Sequence, residues 1–210
     1  MKINIKPKLV ALILLCGASL LLINITTSFT NNPNFMNNTE NKPYSKQESY
    51  ISASWAYSYL DFETMKLDST VVAIGTIEKA VGTNYIQPAE SNPKVNVQIP
   101  KTEYLFNIQR VLHGDAPQNI IISQIGGIST NGKILAMEDD PLYQVGEQYL
   151  LYLKKAPDKE IYFTPSPQAR FVTENMHVFT IRKNSPNIKV SVFDVDGLPL
   201  ETFLKEAGLE

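Results

Sequence analysis

The sequence predicts a mainly β domain, an antiparallel barrel with one short packed helix and one C-terminal helix, preceded by an N-terminal apolar membrane helix. Three observations lead there. Lys2, Lys6 and Lys8 run into an apolar stretch that extends from Leu9 to Ile25, broken only near its end by Asn24. Beyond residue 48 the apolar residues recur in short runs of Val, Ile, Tyr and Phe, many of them at period two, with Gly and Pro between the runs. Helical spacing shows at only two places, one near each end of that region. Short strands with few helices between them favour antiparallel pairing over βαβ units.

The first element is the apolar run at 9–25. It is longer than the core of an ordinary secretory signal and shorter than the roughly 20 residues of a comfortable membrane span. The expectation is an uncleaved signal anchor over 1–25 that holds the chain to the lipid bilayer through residues 9–25. Two alternatives stay open. Small residues at Gly17-Ala18-Ser19 and Thr26-Thr27-Ser28 allow signal cleavage and secretion, and Cys16-Gly17 allows lipidation, although Leu15 is large for that pattern. The lysines lie before the run, and no Lys or Arg follows until Lys42. The N-terminus is therefore expected in the cytoplasm and the rest of the chain outside it, as a single-pass protein of the cell membrane.

Residues 26–47 follow as an asparagine-rich polar tether, with too little apolar surface to offset the entropy of ordering. The extracytoplasmic domain is expected over 48–210. Ile51, Trp55, Tyr59 and Phe62 lie near helical spacing, and Asp61 is placed to cap a turn through Phe62-Glu63-Thr64-Met65-Lys66. Val71–Ile77 reads as a strand, with Gly75 marking a bulge. Gly82, Pro88, Pro93 and Pro100 make 82–101 a long loop. Tyr104, Phe106 and Ile108 alternate on one strand face, and that phase slips at Val111 before a turn at His113-Gly114-Asp115. Ile120–Ser123 is a short strand, and Gly126-Gly127 opens a polar loop running to about Gly146. Tyr149, Leu151 and Leu153 share one face of the next strand. Further short strands are expected at Ile161–Phe163, Phe171-Val172, Val178–Ile181 and Ile188–Val192. Pro199 suits a first helical position, Leu200, Phe203, Leu204 and Ala207 share a helix face, and Gly208 ends it.

Composition excludes several functions. One cysteine cannot build a disulfide framework or a cysteine-rich zinc site, and two histidines leave little for a metal or nucleophile centre. The net charge is −2, and removing the three N-terminal lysines leaves 16 basic against 21 acidic residues outside the membrane. Such a domain is repelled by nucleic acid, and no nucleic-acid partner is expected.

In order along the chain, Asp68–Gly75, Tyr104-Leu105-Phe106-Asn107-Ile108, Val111-Leu112-His113-Gly114 and Gly146-Glu147-Gln148-Tyr149-Leu150-Leu151 resemble the netrin-like module shared with tissue inhibitors of metalloproteinases. They also resemble a group of bacterial exported or membrane-anchored proteins with the same layout. The resemblance covers about residues 65–182 and implies an OB-like five-stranded barrel with a helix packed on it. It does not carry the inhibitors' device, a disulfide-tied N-terminal cysteine that ligates the protease zinc. Cys16 lies in the membrane-directed run and the barrel has no cysteine.

Few residues offer chemistry. Asp194-Val195-Asp196-Gly197 has its glycine too early for a calcium loop and reads as a turn into the last helix. His113 and His177 lack a neighbouring nucleophile or a spaced acidic partner. The expectation is a membrane-tethered, extracytoplasmic, non-catalytic binding module without a cofactor, whose partner is an envelope protein or a cell-wall component. Its expected ligand contacts are Arg170, Tyr152 and Tyr162, with Arg170 in a Gln168-Ala169-Arg170-Phe171 strand start that resembles a Gln-Gly-basic-aromatic segment of the bacterial relatives. Alternatives are a metal-assisted hydrolase using the Glu138-Asp139-Asp140 loop and a protease-inhibitor-like module.

Overall fold

The computed structural model describes residues 48–51, 57–87, 98–181 and 193–210. The expected membrane helix at 1–25, the tether, Trp55 and the strand at Ile188–Val192 lie outside the described residues. Within them the chain is mainly β, with β1 (Glu48–Ile51), β2 (Val71–Ile86), β3 (Ile99–Gly114), β4 (Asn119–Ile125), β5 (Gly127–Ile128), β6 (Ile134–Met137), β7 (Gln148–Lys155), β8 (Ile161–Phe163), β9 (Arg170–Glu174), β10 (His177–Thr180) and β11 (Leu198–Pro199). The helices are α1 (Phe62–Leu67) and α2 (Leu200–Glu206).

Eight strands form one large sheet in the order β11-β10-β9-β7-β2-β3-β4-β8, so the fold is not a clean barrel. Strand β7 has three partners. It pairs antiparallel with β2 along Gln148–Leu153, with β9 along Tyr149–Leu151, and with β8 at Lys154 and Lys155. The last contact brings the edge strand β8 back to β7, while β9 to β11 branch away from the same strand. β4 and β8 run parallel.

Two cores result, one on each face of the central strands. Tyr104, Phe106 and Ile108 meet Tyr149, Leu151 and Leu153 in one core, as their alternation predicts, together with Val71, Ala73, Ile77, Ile120 and Ile122. The opposite phase of the same strands builds the other. Val72, Ile74, Leu150, Tyr152 and Phe171 pack under the two helices, which contribute Met65, Leu200, Phe203 and Leu204. Phe62 stacks on Phe193 at 4.1 Å and meets Phe203 edge-on at 5.1 Å, fixing α1 against α2.

The helices form where the sequence places them. Asp61 accepts from the Thr64 amide and caps α1. Pro199 sits one residue earlier than expected, as the N-cap of α2 rather than its first residue. Gly75 needs its lack of a side chain. A Cβ there would lie 2.3 Å from the Asn107 carbonyl oxygen and 2.7 Å from the Phe106 ring, and the β2–β3 register shifts beside it.

Two expected loops are partly strand. Much of 82–101 extends a long β2–β3 hairpin. Gly82 lies where the register shifts, and Pro100 sits second in β3 with its carbonyl accepting from the Gly126 amide. The stretch from Gly126 to Gly146 contains β5 and β6, which join β1 in a second, three-stranded sheet with β1 parallel to β6.

Candidate functional site

Strand β9 begins at Arg170 and turns this side chain away from the helices, because its neighbour Phe171 occupies the helix-side core. The guanidinium meets Asp140 with 2.9 Å between Nη1 and Oδ1, and both side chains are almost fully buried, at 2% and 5% exposure. It also donates to the Pro141 carbonyl and lies 4.4 Å from the Tyr143 ring centre and 5.6 Å from that of Tyr149. Gln124 braces the far side. Its amide donates to the Asp140 and Pro141 carbonyls, and its oxygen accepts from the Tyr143 amide at 3.0 Å.

Burial raises the Asp140 carboxyl, and the Arg170 charge draws it back only in part. Burial would by itself lower the Arg170 value, but Asp140 and the two tyrosines hold it above its ordinary range. Burial pushes the Tyr143 hydroxyl up to about 12. The cluster ties β9 to the segment after β6. Arg170, expected as a ligand contact, is 2% exposed and paired with Asp140.

Tyr152 and Tyr162 are also buried, in opposite cores. Among the described residues the Tyr152 hydroxyl has no hydrogen-bond partner. Of the other tyrosines, Tyr59 and Tyr143 are buried, while Tyr57 and Tyr85 are exposed. The Tyr59 hydroxyl donates to Asp68, which also pairs with Lys154 at 2.6 Å, and Lys154 lies over the Tyr57 ring.

The structure does not bring the remaining candidates together. Glu138 is exposed, and Asp140 is committed to Arg170. Among the described residues no three His, Cys, Asp or Glu side chains are placed to hold a metal ion. His113 and His177 lie on β3 and β10, which do not pair. Asp196 forms the expected turn, accepting from the amide and hydroxyl of Thr180.

A different surface carries accessible polar groups. On β2, β7 and β9 the helix-side phase continues past the apolar residues to Thr76, Gln148 and Thr173. On β3 the phase opposite Phe106 and Ile108 presents Asn107 and Gln109. These side chains bond to one another across four strands. The Thr173 hydroxyl donates to Gln148 Oε1 at 2.6 Å, Gln148 Nε2 donates to Gln109 Oε1, and Gln109 Nε2 donates to the Thr76 hydroxyl at 3.1 Å. Beside them Asn107 Nδ2 donates to Asn119 Oδ1 on β4 at 3.1 Å. Leu105, Ile121 and Ile161 flank the row, each partly exposed. No residue of β4 or β8 belongs to the helix-side core. The row has a sequence signal, since Asn107, Gln109 and Gln148 are the polar phase of strands whose other phase marks the core.

No protein-family model matches the chain. Searches among curated proteins and among solved structures return no match either.

Proposed function

We propose that the chain is a membrane-tethered extracytoplasmic binding module, not a catalyst, and that its domain is an OB-type barrel with an appended edge. The pairing circuit β7-β2-β3-β4-β8-β7, with its parallel β4–β8 contact, supports the barrel reading. The apolar run behind three lysines supports the tether and the outward-facing domain.

One observation carries the binding role. Arg170 and Asp140 are consumed inside the protein, whereas Gln148, Thr76, Gln109, Asn107 and Asn119 stand partly or fully exposed on a sheet face, with the buried Thr173 hydroxyl anchoring Gln148. Binding sites present a few placed polar groups on a rigid scaffold, and function is read from the site rather than from the fold.

The test places a photo-crosslinking residue at Asn119 in the full chain, in living cells, with Met176 as a distant exposed control. A discrete adduct at position 119 that is missing at 176 supports the module. No adduct at 119 in a folded, membrane-associated protein overturns it. External protease on intact spheroplasts checks orientation, since it should release the domain and leave a short membrane-held fragment. Full protection of the domain contradicts the tether.

A further inference from the structure

We infer that the outer wall formed by β7, β2, β3 and β4 takes an uncharged, hydroxyl-rich oligosaccharide laid across the strands. This rests on the binding-module reading and names its ligand class. The row consists of neutral amides and a hydroxyl, Gln148, Gln109, Thr76, Asn107 and Asn119, with the buried Thr173 hydroxyl fixing Gln148 from β9.

Each candidate partner meets that row differently. A polyanion finds no cation in it, because the neighbouring Arg110 faces Glu201 at 3.6 Å and the chain is acidic overall. An extended peptide seeks a free strand edge for its backbone, whereas these side chains stand on the face of strands already paired to one another. An apolar partner would strip water from the amides without replacing its hydrogen bonds. A neutral sugar chain avoids all three conflicts, since its hydroxyls both donate and accept.

The geometry suits such a chain. Neighbouring strands lie about 4.8 Å apart, close to the length of one pyranose ring, so successive sugars meet successive strands. The Gln148, Gln109 and Asn107 amide nitrogens each donate one hydrogen within the row and carry a second N–H that a ligand can take, while Asn119 accepts through Oδ1. The bonds along the row hold the side chains in place before binding, which lowers the ordering cost of the complex. Leu105, Ile121 and Ile161 offer apolar contact for the C–H faces of the rings.

The test uses the full chain in a sugar-free zwitterionic detergent, with chitohexaose and cellohexaose as neutral probes and polygalacturonate as the anionic one, followed by calorimetry. Saturable binding of a neutral hexamer is expected, with weaker binding of its dimer and none of polygalacturonate. Asn119→Ala, at an exposed site, and Gln148→Ala should each weaken it about tenfold, the loss of about one hydrogen bond. Circular dichroism confirms folding, and Asn119→Ala serves if Gln148→Ala misfolds. Failure of both hexamers to bind folded protein overturns the inference, as does binding unchanged in both variants or stronger binding of polygalacturonate. If Asn119 still cross-links in cells to a protein while the hexamers do not bind, the module stands and the glycan assignment falls. If neither occurs, both fall.

Discussion

Arg170 and Asp140 meet at 2.9 Å with almost no exposure to water, joining the first residue of β9 to the segment that follows β6. Two groups that look available in the sequence are thus spent on holding one end of the core around Tyr104, Phe106 and Tyr149 together.

Removing one partner leaves the other as a buried, unpaired charge. Arg170→Ala should therefore destabilise the protein by about 3–5 kcal/mol in urea unfolding. Joint replacement, Arg170→Met with Asp140→Leu, should recover most of that loss. A single variant that unfolds like the parent contradicts the structural role.

Tyr152 carries a buried hydroxyl with no partner among the described residues. Tyr152→Phe removes a desolvated polar atom and keeps the ring against Phe171, so it should be neutral or stabilising by about 1–3 kcal/mol. A clear loss of stability in thermal unfolding would show that the hydroxyl is satisfied after all.

The contact between Gly75 and the Phe106 ring should be intolerant from both sides. Gly75→Ala forces the ring or the Asn107 carbonyl to move and should cost about 1–3 kcal/mol. Phe106→Ala leaves a cavity in a closed core and should cost about 3–5 kcal/mol. Because the two touch, the double variant should cost less than the sum, and a double-mutant cycle reads this directly.

Asp68 sets an acid limb. Burial alone would raise its carboxyl, but hydrogen bonds from Lys154 and Tyr59 and the ammonium charge together hold it below the ordinary range. Its folded value then lies under its unfolded value of about 3.9. In that window the unfolded chain binds more protons, so stability rises with pH. The contribution is complete above about pH 4 and is lost as pH falls through the lower folded value. Asp68→Asn should be less stable than the parent at pH 7 and should lose less between pH 5 and pH 2. Curves that run parallel across that range would rule the linkage out.

Much of the fold was legible because period two converts directly into facing. Tyr104, Phe106 and Ile108 point where their spacing says. The second core was legible in a signal of another kind, the unbroken apolar run Tyr149–Leu153, which marks a strand buried on both faces. Gly82 and Pro100 concealed the hairpin, because both are tolerated at bulges and strand starts as readily as in loops. The site was less legible. A lone arginine at a strand start gives no sign of a carboxylate from a distant loop, and a tyrosine in a strand reads the same whether it lines a core or a surface. The amides at Asn107, Gln109 and Gln148 were visible as the outward phase, but only the pairing of β3 with β2 and of β2 with β7 puts them in one row.

The position of β7 as shared wall of both cores also sets an order of events. Tyr149 to Leu153 complete the two cores, yet they lie more than seventy residues beyond the β2 residues they pair with, Val71 to Gly75. A growing chain that stops short of residue 148 can close neither core, and its long β2–β3 hairpin keeps its apolar faces in water. The pairing of β7 with β2 is slow to find because the intervening chain must be closed into a loop first. Completion of both cores therefore waits on β7, the strand that supplies each of them with its central residues.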